Sequence, residues 1–351
     1  MTRALALVRA LPLALAVAAA AALAVPPGAA AQEVILRLHQ MLPPQAAIPA
    51  KALTPWIAKV EQESGGRITV EHYPSMQLGG APPALYDQAK DGVVDLTWTV
   101  LGYTPGRFPK SEAFELPFMV TLAEPTSRAF HEYVLANAMD EFKDVHPIAL
   151  HTHGPGLLHV RGEGVRSLDD MAGLKIRTPT RVAAGMLTAF GATPVGMPVP
   201  QVPESLSKGV IDGVAIPWEV TLPLKIAELV NTHTAFSGRH GLYTSTFIFA
   251  MNRDSYAALP DDLKKVIDDN SGPEVAALFG RAMDEVDVTG RAVAEKAGNT
   301  LVTLDAAETA RWQEAARQTT ESWIAEMSGK GIDGAALVED ARRRIEKYSG
   351  H

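Results

Sequence analysis

Arg177 is the residue of this chain whose surroundings most clearly suggest chemistry. It ends an apolar, strand-like segment and lies two residues before Pro179. An arginine stays positively charged and presents five donors in a planar fork, which suits a carboxylate. The pattern therefore predicts that Arg177 binds the carboxylate of a ligand at a strand end. The alternative is a structural salt bridge with Asp169, Asp170 or Asp212.

Two histidines on a predicted strand form a second candidate site. His151 and His153 are two residues apart, so both side chains face the same side of the strand and could bind one metal ion. No carboxylate or third histidine lies at a motif spacing, although His159 is near. The alternative is that the pair lines a cleft or hydrogen-bonds to the backbone. We expect no metal, and we expect His153 to line a cleft.

Three further residues are candidates for the wall of a ligand site. Trp218 follows Pro217, and its indole offers a large flat face, although core packing is equally compatible with this position. Glu219 could bind a cation or an ammonium group, but we favour a cap on the helix that follows. Tyr103 follows a predicted strand, where open α/β sheets bind ligands, unless Gly102 only forms a turn there.

The elements that must position these residues alternate between strand and helix. Predicted strands at 34–39, 68–73 and 93–100 are separated by helical segments, which indicates an α/β lobe with a largely parallel sheet. Arg177 lies in a second group of strands with 193–195 and 210–216. The β-rich segment 243–251 is expected to return the chain to the first lobe, and 261–296 is expected to form one unusually long helix.

The bulk composition limits the class of protein. The 351 residues carry a formal charge of −8 and no cysteine, which argues against nucleic acid as a partner and against disulfides. Arg3 and Arg9 precede the apolar run 10–25, and Ala29–Ala31 resembles a cleavage site. This pattern predicts an exported protein with a signal peptide at residues 1–31. A membrane anchor is the alternative, but the apolar run is short and ends at Pro26.

No enzyme signature accompanies these candidates. The sequence contains no G-x-S-x-G elbow, no Walker A motif, no G-x-G-x-x-G after a strand and no H-E-x-x-H. Without cysteine there is also no thiol nucleophile. We therefore expect a protein without catalytic residues and without a cofactor.

Seven motifs in order resemble one family, the periplasmic solute-binding subunits of TRAP (tripartite ATP-independent periplasmic) transporters of the dicarboxylate-binding type. The resemblance covers nearly all of the chain after residue 31. The matching segments are Gly65–Glu71 (GGRITVE), Gln77–Gly80 (QLGG), Gly92–Asp95, Glu115–Phe118 (ELPF), Leu168–Pro179 (containing GLKIRTP), Gly191–Pro194 and Gly209–Gly213.

The resemblance implies a two-lobe periplasmic-binding-protein fold with a ligand cleft between the lobes and a long helix spanning both. The expected domains are residues 32–150 with 245–275, residues 151–244, and residues 276–351 packing across the lobes. The resemblance also implies that Arg177 matches the arginine that pairs with the ligand carboxylate. The implied partners are a small organic acid and the TRAP membrane subunits, and the implied location is the periplasm.

Two departures from the family pattern make the predicted site less polar. A second arginine is often found just after the strand that ends near His153, but here the segment 154–159 reads GPGLLH. The frequent Gln-Glu-Asn-Pro run is replaced by Val214–Pro217. We therefore expect a monocarboxylate with an apolar or aromatic body, with Trp218 and Phe247 as walls. The other functional hypotheses are a ligand-sensing module for a membrane signalling protein and, third, an exported enzyme.

Overall fold

Two β-sheets, one in each lobe, form the framework of the chain, and the computed structural model describes residues 34–350. Within that range there are eleven strands. They are β1 (Val34–Gln40), β2 (Ile68–Tyr73), β3 (Leu96–Val100), β4 (Val145–Thr152), β5 (Leu157–Val160), β6 (Lys175–Thr178), β7 (Thr193–Gly196), β8 (Gly213–Ile216), β9 (Thr232–Phe236), β10 (Thr246–Asn252) and β11 (Thr300–Leu304).

Ten α-helices of the same range cover the sheets. They are α1 (Thr54–Glu63), α2 (Leu85–Lys90), α3 (Ala123–Asn137), α4 (Arg181–Ala189), α5 (Val202–Ser207), α6 (Arg253–Ala258), α7 (Asp261–Asp269), α8 (Pro273–Lys296), α9 (Ala306–Gly329) and α10 (Gly334–Ser349). Among these helices, none is long and apolar enough to cross a membrane. The predicted signal peptide lies outside the described residues.

The order of the strands confirms the expected α/β fold and explains how the lobes are joined. The first sheet has the order β2-β1-β3-β10-β4, and the second has the order β11-β9-β5-β8-β6-β7. Strand β1 pairs in parallel with β2 and β3, whereas β10 is antiparallel to both β3 and β4. Because β10 follows β9 in sequence but lies in the other sheet, the chain crosses between lobes without a flexible tether.

The predicted long helix over 261–296 is wrong, because the segment forms two helices. Helix α7 ends at Asp269, and α8 begins only at Pro273. Gly272 adopts a positive φ of 98° between them, and Pro273 occupies the first turn of α8. Proline tolerates a helix start but not a helix interior, so the pair Gly-Pro breaks the periodic pattern. The helix that spans the lobes is therefore α8 alone, with 24 residues.

Helix α8 is attached to both lobes through two aspartates about one turn apart. The Asp284 carboxylate accepts the backbone N–H groups of Ala123 at 2.7 Å and of Glu124 at 2.9 Å, at the start of α3 in the first lobe. The Asp287 carboxylate accepts the N–H of Glu219 at 2.6 Å, at the start of a short turn in the second lobe. Each carboxylate satisfies donors that a helical turn leaves unpaired at its N-terminus.

Close backbone approach completes the attachment of α8. A Cβ atom on Gly280 would lie 2.5 Å from the carbonyl oxygen of Ala123, and one on Gly290 would lie 2.3 Å from the carbonyl oxygen of Trp218. Real Cβ atoms essentially never approach backbone so closely, and backbone cannot move aside as a flexible side chain can. The two glycines therefore let α8 contact both lobes at once.

We expect Gly280→Ala to lower the free energy of unfolding by about 2 kcal/mol, because the added methyl group forces α8 away from Ala123. The matched control is Gly185→Ala in α4, where the nearest heavy atom to a new Cβ is a side-chain methyl of Thr319 at 3.7 Å. There the better helix propensity of alanine should raise stability by about 0.5–1 kcal/mol. Chemical denaturation of both variants measures the difference.

Equal effects of the two substitutions would contradict this account. If Gly280→Ala were as stable as Gly185→Ala, the contact between α8 and the start of α3 would not constrain the packing.

Candidate functional site

A largely apolar cavity lies between the two lobes. Its first-lobe wall includes Trp98, Tyr103 and Phe247, and its second-lobe wall includes Arg177 and Glu219. The crossing segments, in which the chain passes from one sheet to the other after β4 and before β10, contribute His153, Tyr243 and Ser245. Five of the six residues predicted for the site therefore line one cavity, and they do so from both lobes.

Arg177 is held on the floor of the cavity by backbone oxygens. It lies in β6, opposite Val195 of β7 and Val214 of β8. Its Nε–H donates to the carbonyl of Met197 at 2.9 Å, and Nη1 donates to the carbonyl of Ala215 at 3.3 Å. These neutral acceptors fix the plane of the guanidinium while leaving its charge uncompensated.

No acidic side chain among residues 34–350 forms a salt bridge with Arg177, although its side chain is only 2% exposed. The three aspartates considered as partners are engaged elsewhere. Asp169 pairs with Arg311 at 3.3 Å, Asp170 accepts the N–H of Ser167 at 2.8 Å, and Asp212 accepts the N–H of Lys175 at 2.8 Å. A buried cation without a counter-charge is unfavourable, so the arrangement suits an anionic ligand.

The Tyr103 hydroxyl joins the two lobes next to Arg177. It follows β3 of the first lobe, and its oxygen accepts the backbone N–H of Val199 at 2.8 Å and an Nη2 hydrogen of Arg177 at 3.4 Å. Because both contacts use the oxygen as acceptor, the hydroxyl hydrogen remains available to a ligand. Burial raises the pKa of Tyr103, so the group stays protonated.

The His153 ring lines the cavity as a neutral group. Its Nδ1–H donates to the carbonyl of Gly154 at 2.6 Å, while Nε2 accepts the backbone N–H of Ser245 at 3.0 Å. Burial, with the nearby charge of Arg177, lowers the pKa of His153 to about 4. Both nitrogens are occupied, which leaves only the ring face for a ligand and disfavours metal binding.

Phe247 and Trp98 form the opposite wall, and both rings pack against His151. The ring of Phe247 lies parallel to Trp98 at 5.2 Å and to His151 at 4.9 Å. The indole Nε1–H of Trp98 donates to Nε2 of His151 at 2.8 Å, so the polar atom of the indole is satisfied within the wall. Burial lowers the pKa of His151 to about 3, which keeps this wall uncharged.

Glu219 faces the cavity and does not cap the turn that it begins, so the favoured cap interpretation is wrong. The N–H of Glu219 instead donates to Asp287, which is far away in sequence and could not be inferred from local pattern. The side chain of Glu219 is buried, and its Oε2 atom has no hydrogen-bond partner among the described residues. Burial, reinforced by Asp287, raises the pKa of Glu219 well above its ordinary value.

Trp218 does not line this cavity, which corrects its interpretation as a wall. Its ring lies 5.0 Å from His159 and 4.8 Å from His233, within the second lobe. It borders a different groove, formed with Leu122 and Pro155. The close contact between the Trp218 carbonyl and Gly290 orients the residue toward α8, and the next residue, Glu219, takes the position facing the cavity.

Sequence reasoning missed several residues of the cavity, among them Trp98, Tyr243 and Ser245. Trp98 and Tyr243 are aromatic, but nothing in their spacing separates them from ordinary core residues. Ser245 lies where the chain crosses between lobes, and its hydroxyl makes no hydrogen bond with any residue from Val34 to Gly350. The run of small polar residues from Thr244 to Thr246 was the one sequence signal that could have indicated Ser245.

We expect the His153 ring to remain neutral from about pH 5 to 8, whereas a free histidine titrates near 6.5. Because the pKa in the folded chain is lower than in the unfolded chain, its stability contribution is complete above about pH 6.5 and is lost as the pH falls toward about 4. NMR of histidine-labelled protein measures the titration, and His153→Gln identifies the resonance. An inflection near pH 6.5 would contradict the assigned hydrogen bonds.

Comparison with known proteins identifies the family. Residues 40–326 match the sequence profile of "Bacterial extracellular solute-binding protein, family 7". A TRAP solute-binding protein from Rhodoferax ferrireducens T118, solved with copurified benzoate, is 48% identical with a TM-score of 0.88, over 90% of this chain and 98% of that one.

Two further solved structures are similar. A marine metagenome TRAP solute-binding protein described as specific for aromatic acid ligands, with 3-hydroxybenzoate, is 48% identical with a TM-score of 0.89, over 91% of this chain and 100% of that one. A protein from Bordetella bronchiseptica with bound mandelate is 33% identical with a TM-score of 0.83, over 90% and 99% of the two chains. The chain therefore belongs to family 7 of the bacterial extracellular solute-binding proteins, the solute-binding proteins of TRAP transporters.

Proposed function

We propose that this protein captures an aromatic monocarboxylate between its lobes and that Arg177 pairs with the ligand carboxylate. The observation that carries the proposal is the buried guanidinium of Arg177, which has no acidic partner in the described chain and lies in an otherwise apolar cavity. Of its five N–H groups, three are used by Met197, Ala215 and Tyr103. One N–H on each of Nη1 and Nη2 remains, which is the pair that engages two carboxylate oxygens.

The Tyr103 and Ser245 hydroxyls support a complete set of bonds to that carboxylate. Each lines the cavity, and each retains a hydroxyl hydrogen that no described residue accepts. A carboxylate offers about four lone-pair sites, so two guanidinium and two hydroxyl hydrogens match its capacity. This set involves both lobes, because Tyr103 belongs to the first lobe and Arg177 to the second.

The remainder of the cavity favours an aromatic body over a second acid group. The ring stack of Trp98 and Phe247 offers a flat apolar wall, and Ile216 and Val199 offer aliphatic contacts. A second carboxylate would need a second buried cation, and Arg177 is the one arginine or lysine that lines the cavity in the described chain. The benzoate, 3-hydroxybenzoate and mandelate found in similar proteins are consistent with this class.

Capture would proceed by closure of the two lobes on the ligand. A ligand that contacts Arg177 and the first-lobe ring stack binds the closed arrangement better than the open one, and it shifts the equilibrium accordingly. Closure also removes water, which strengthens the pairing of guanidinium and carboxylate. No bond in the ligand needs to be broken, so we propose binding without catalysis.

We further propose that the protein acts in the periplasm, after cleavage of the signal peptide near Ala31, and that it delivers its ligand to TRAP membrane subunits. The proposed lobes are residues 32–150 with 245–275, and residues 151–244, with 276–351 packing across both. The position of β10 in the first sheet supports this division, and β11 adds one strand of the last segment to the second sheet.

Arg177→Lys should weaken binding of benzoate at least tenfold, which corresponds to about 1.4 kcal/mol or more. Lysine retains the charge but loses the planar fork that engages two oxygens. Isothermal titration calorimetry measures the affinity. Arg166→Lys is the matched control, since Arg166 is an exposed arginine of the same lobe. An unchanged affinity of Arg177→Lys would refute the assignment of Arg177.

A panel of organic acids in a thermal unfolding assay should give stabilisation by benzoate and mandelate but not by succinate or glucuronate. A ligand at about 100 times its Kd raises the free energy of unfolding by about 2.7 kcal/mol, which is readily detected. Stabilisation by succinate alone would be compatible with the family, but it would refute the proposal that the ligand is an aromatic acid. No stabilisation by any acid would favour a sensing or catalytic role with another ligand.

A further inference from the structure

Glu219 has a buried carboxyl group facing the ligand cavity that the binding of a carboxylate does not use. The residue is 4% exposed and lines the same cavity as Arg177. Neither of its carboxyl oxygens forms a hydrogen bond or salt bridge with a residue between Val34 and Gly350, and Oε2 is fully enclosed. Buried polar atoms are normally paired, so an unpaired one in a ligand site indicates a group that the ligand satisfies.

The charges around Glu219 do not favour an ionised carboxylate. Asp287 on α8 lies directly behind it, and Asp284 lies one turn away on the same helix. From the crossing segments, His153 is neutral and the Tyr243 hydroxyl donates to the carbonyl of Ala215 at 2.8 Å. Arg177 is directed to Met197, Ala215 and Tyr103, so no described cation pairs with Glu219.

A carboxyl group in these surroundings keeps its proton, because burial and the neighbouring Asp287 both raise its pKa. The protonated group has one O–H donor and an acceptor oxygen. An alcohol or phenol hydroxyl offers the same combination, and so the two can exchange a donor and an acceptor. A ligand that presents only aliphatic or aromatic C–H groups to Glu219 would leave this carboxyl group without a hydrogen bond.

We propose that Glu219 is a specificity-determining residue that exchanges hydrogen bonds with a hydroxyl group on the ligand's aromatic ring. The inference rests on the proposed function, since it requires that a carboxylate be anchored at Arg177 first. Asp287 acts as a positioning residue, because its bond to the backbone N–H of Glu219 fixes where the side chain begins. A site that hydrogen-bonds a hydroxyl discriminates strongly against the analogue that lacks one.

The test is calorimetric titration of the full protein with benzoate, 3-hydroxybenzoate, 4-hydroxybenzoate and 3-(aminomethyl)benzoate. We expect the better of the two hydroxy acids to bind at least tenfold more tightly than benzoate. Glu219→Leu should reduce this ratio to below about threefold. Glu219→Gln should preserve the ratio, because an amide also offers a donor and an acceptor.

A second measurement does not depend on the leucine variant folding. Infrared difference spectra of the wild type should show a shift of a protonated-carboxyl C=O band on adding the hydroxy acid but not on adding benzoate. That shifting band should be missing from Glu219→Gln. A hydroxy-acid spectrum identical to the benzoate spectrum would overturn the proposal even if no variant could be purified.

The outcomes separate this inference from the proposed function. Binding of benzoate with no hydroxyl preference would overturn the role of Glu219 and leave the function intact. Failure of every aromatic acid to bind would overturn the function and the inference with it. A preference for 3-(aminomethyl)benzoate over both hydroxy acids would show that Glu219 is ionised and pairs with an ammonium group, which also overturns the proposal.

Discussion

The buried positive charge of Arg177 is the constraint on which the rest of the site depends. The carbonyl oxygens of Ala215 in β8 and of Met197 just after β7 accept hydrogen bonds from the guanidinium, and Tyr103 reaches it from the other lobe. All of these groups are neutral, so they orient the arginine without cancelling its charge. In the proposed complex the ligand carboxylate supplies the missing counter-charge, which would link the stability of the closed arrangement to the presence of ligand.

Around this one charge, the other ionisable groups of the cavity are held neutral by burial. The pKa of His153 is lowered, while the pKa values of Tyr103, Tyr243 and Glu219 are raised. A ligand therefore meets one formal charge and several uncharged hydrogen-bonding groups. Under the proposed function, such a field would distinguish ligands by the number of their negative charges first and by their polar substituents second. The segment 154–159 lacks the second arginine that the family often has, so a second negative charge on a ligand would meet no cation there.

Local motifs in the sequence were sufficient to predict the two lobes and a strand that carries Arg177 to the cleft between them. They were insufficient wherever a contact joins distant segments. Asp287 on α8, and not the side chain of Glu219, bonds to the N-terminus of the turn. Glu219 faces the cavity, whereas Trp218 borders a different groove. The sequence contains Gly272 and Pro273 at the break between α7 and α8. The break was not predicted, because apolar residues recur at helical spacing on both sides of it. Ser245 is marked in the sequence only by the small polar residues on either side of it.

The two aspartates of α8 also have a mechanical consequence. With a rise of about 1.5 Å per residue, the attachment of one lobe through Asp284 and of the other through Asp287 lie only about 4.5 Å apart along the helix axis. With the close contacts at Gly280 and Gly290, the whole attachment spans about 15 Å of a helix of 24 residues. In the proposed closure the lobes would rotate about this stretch of α8, with each packed core moving as a unit.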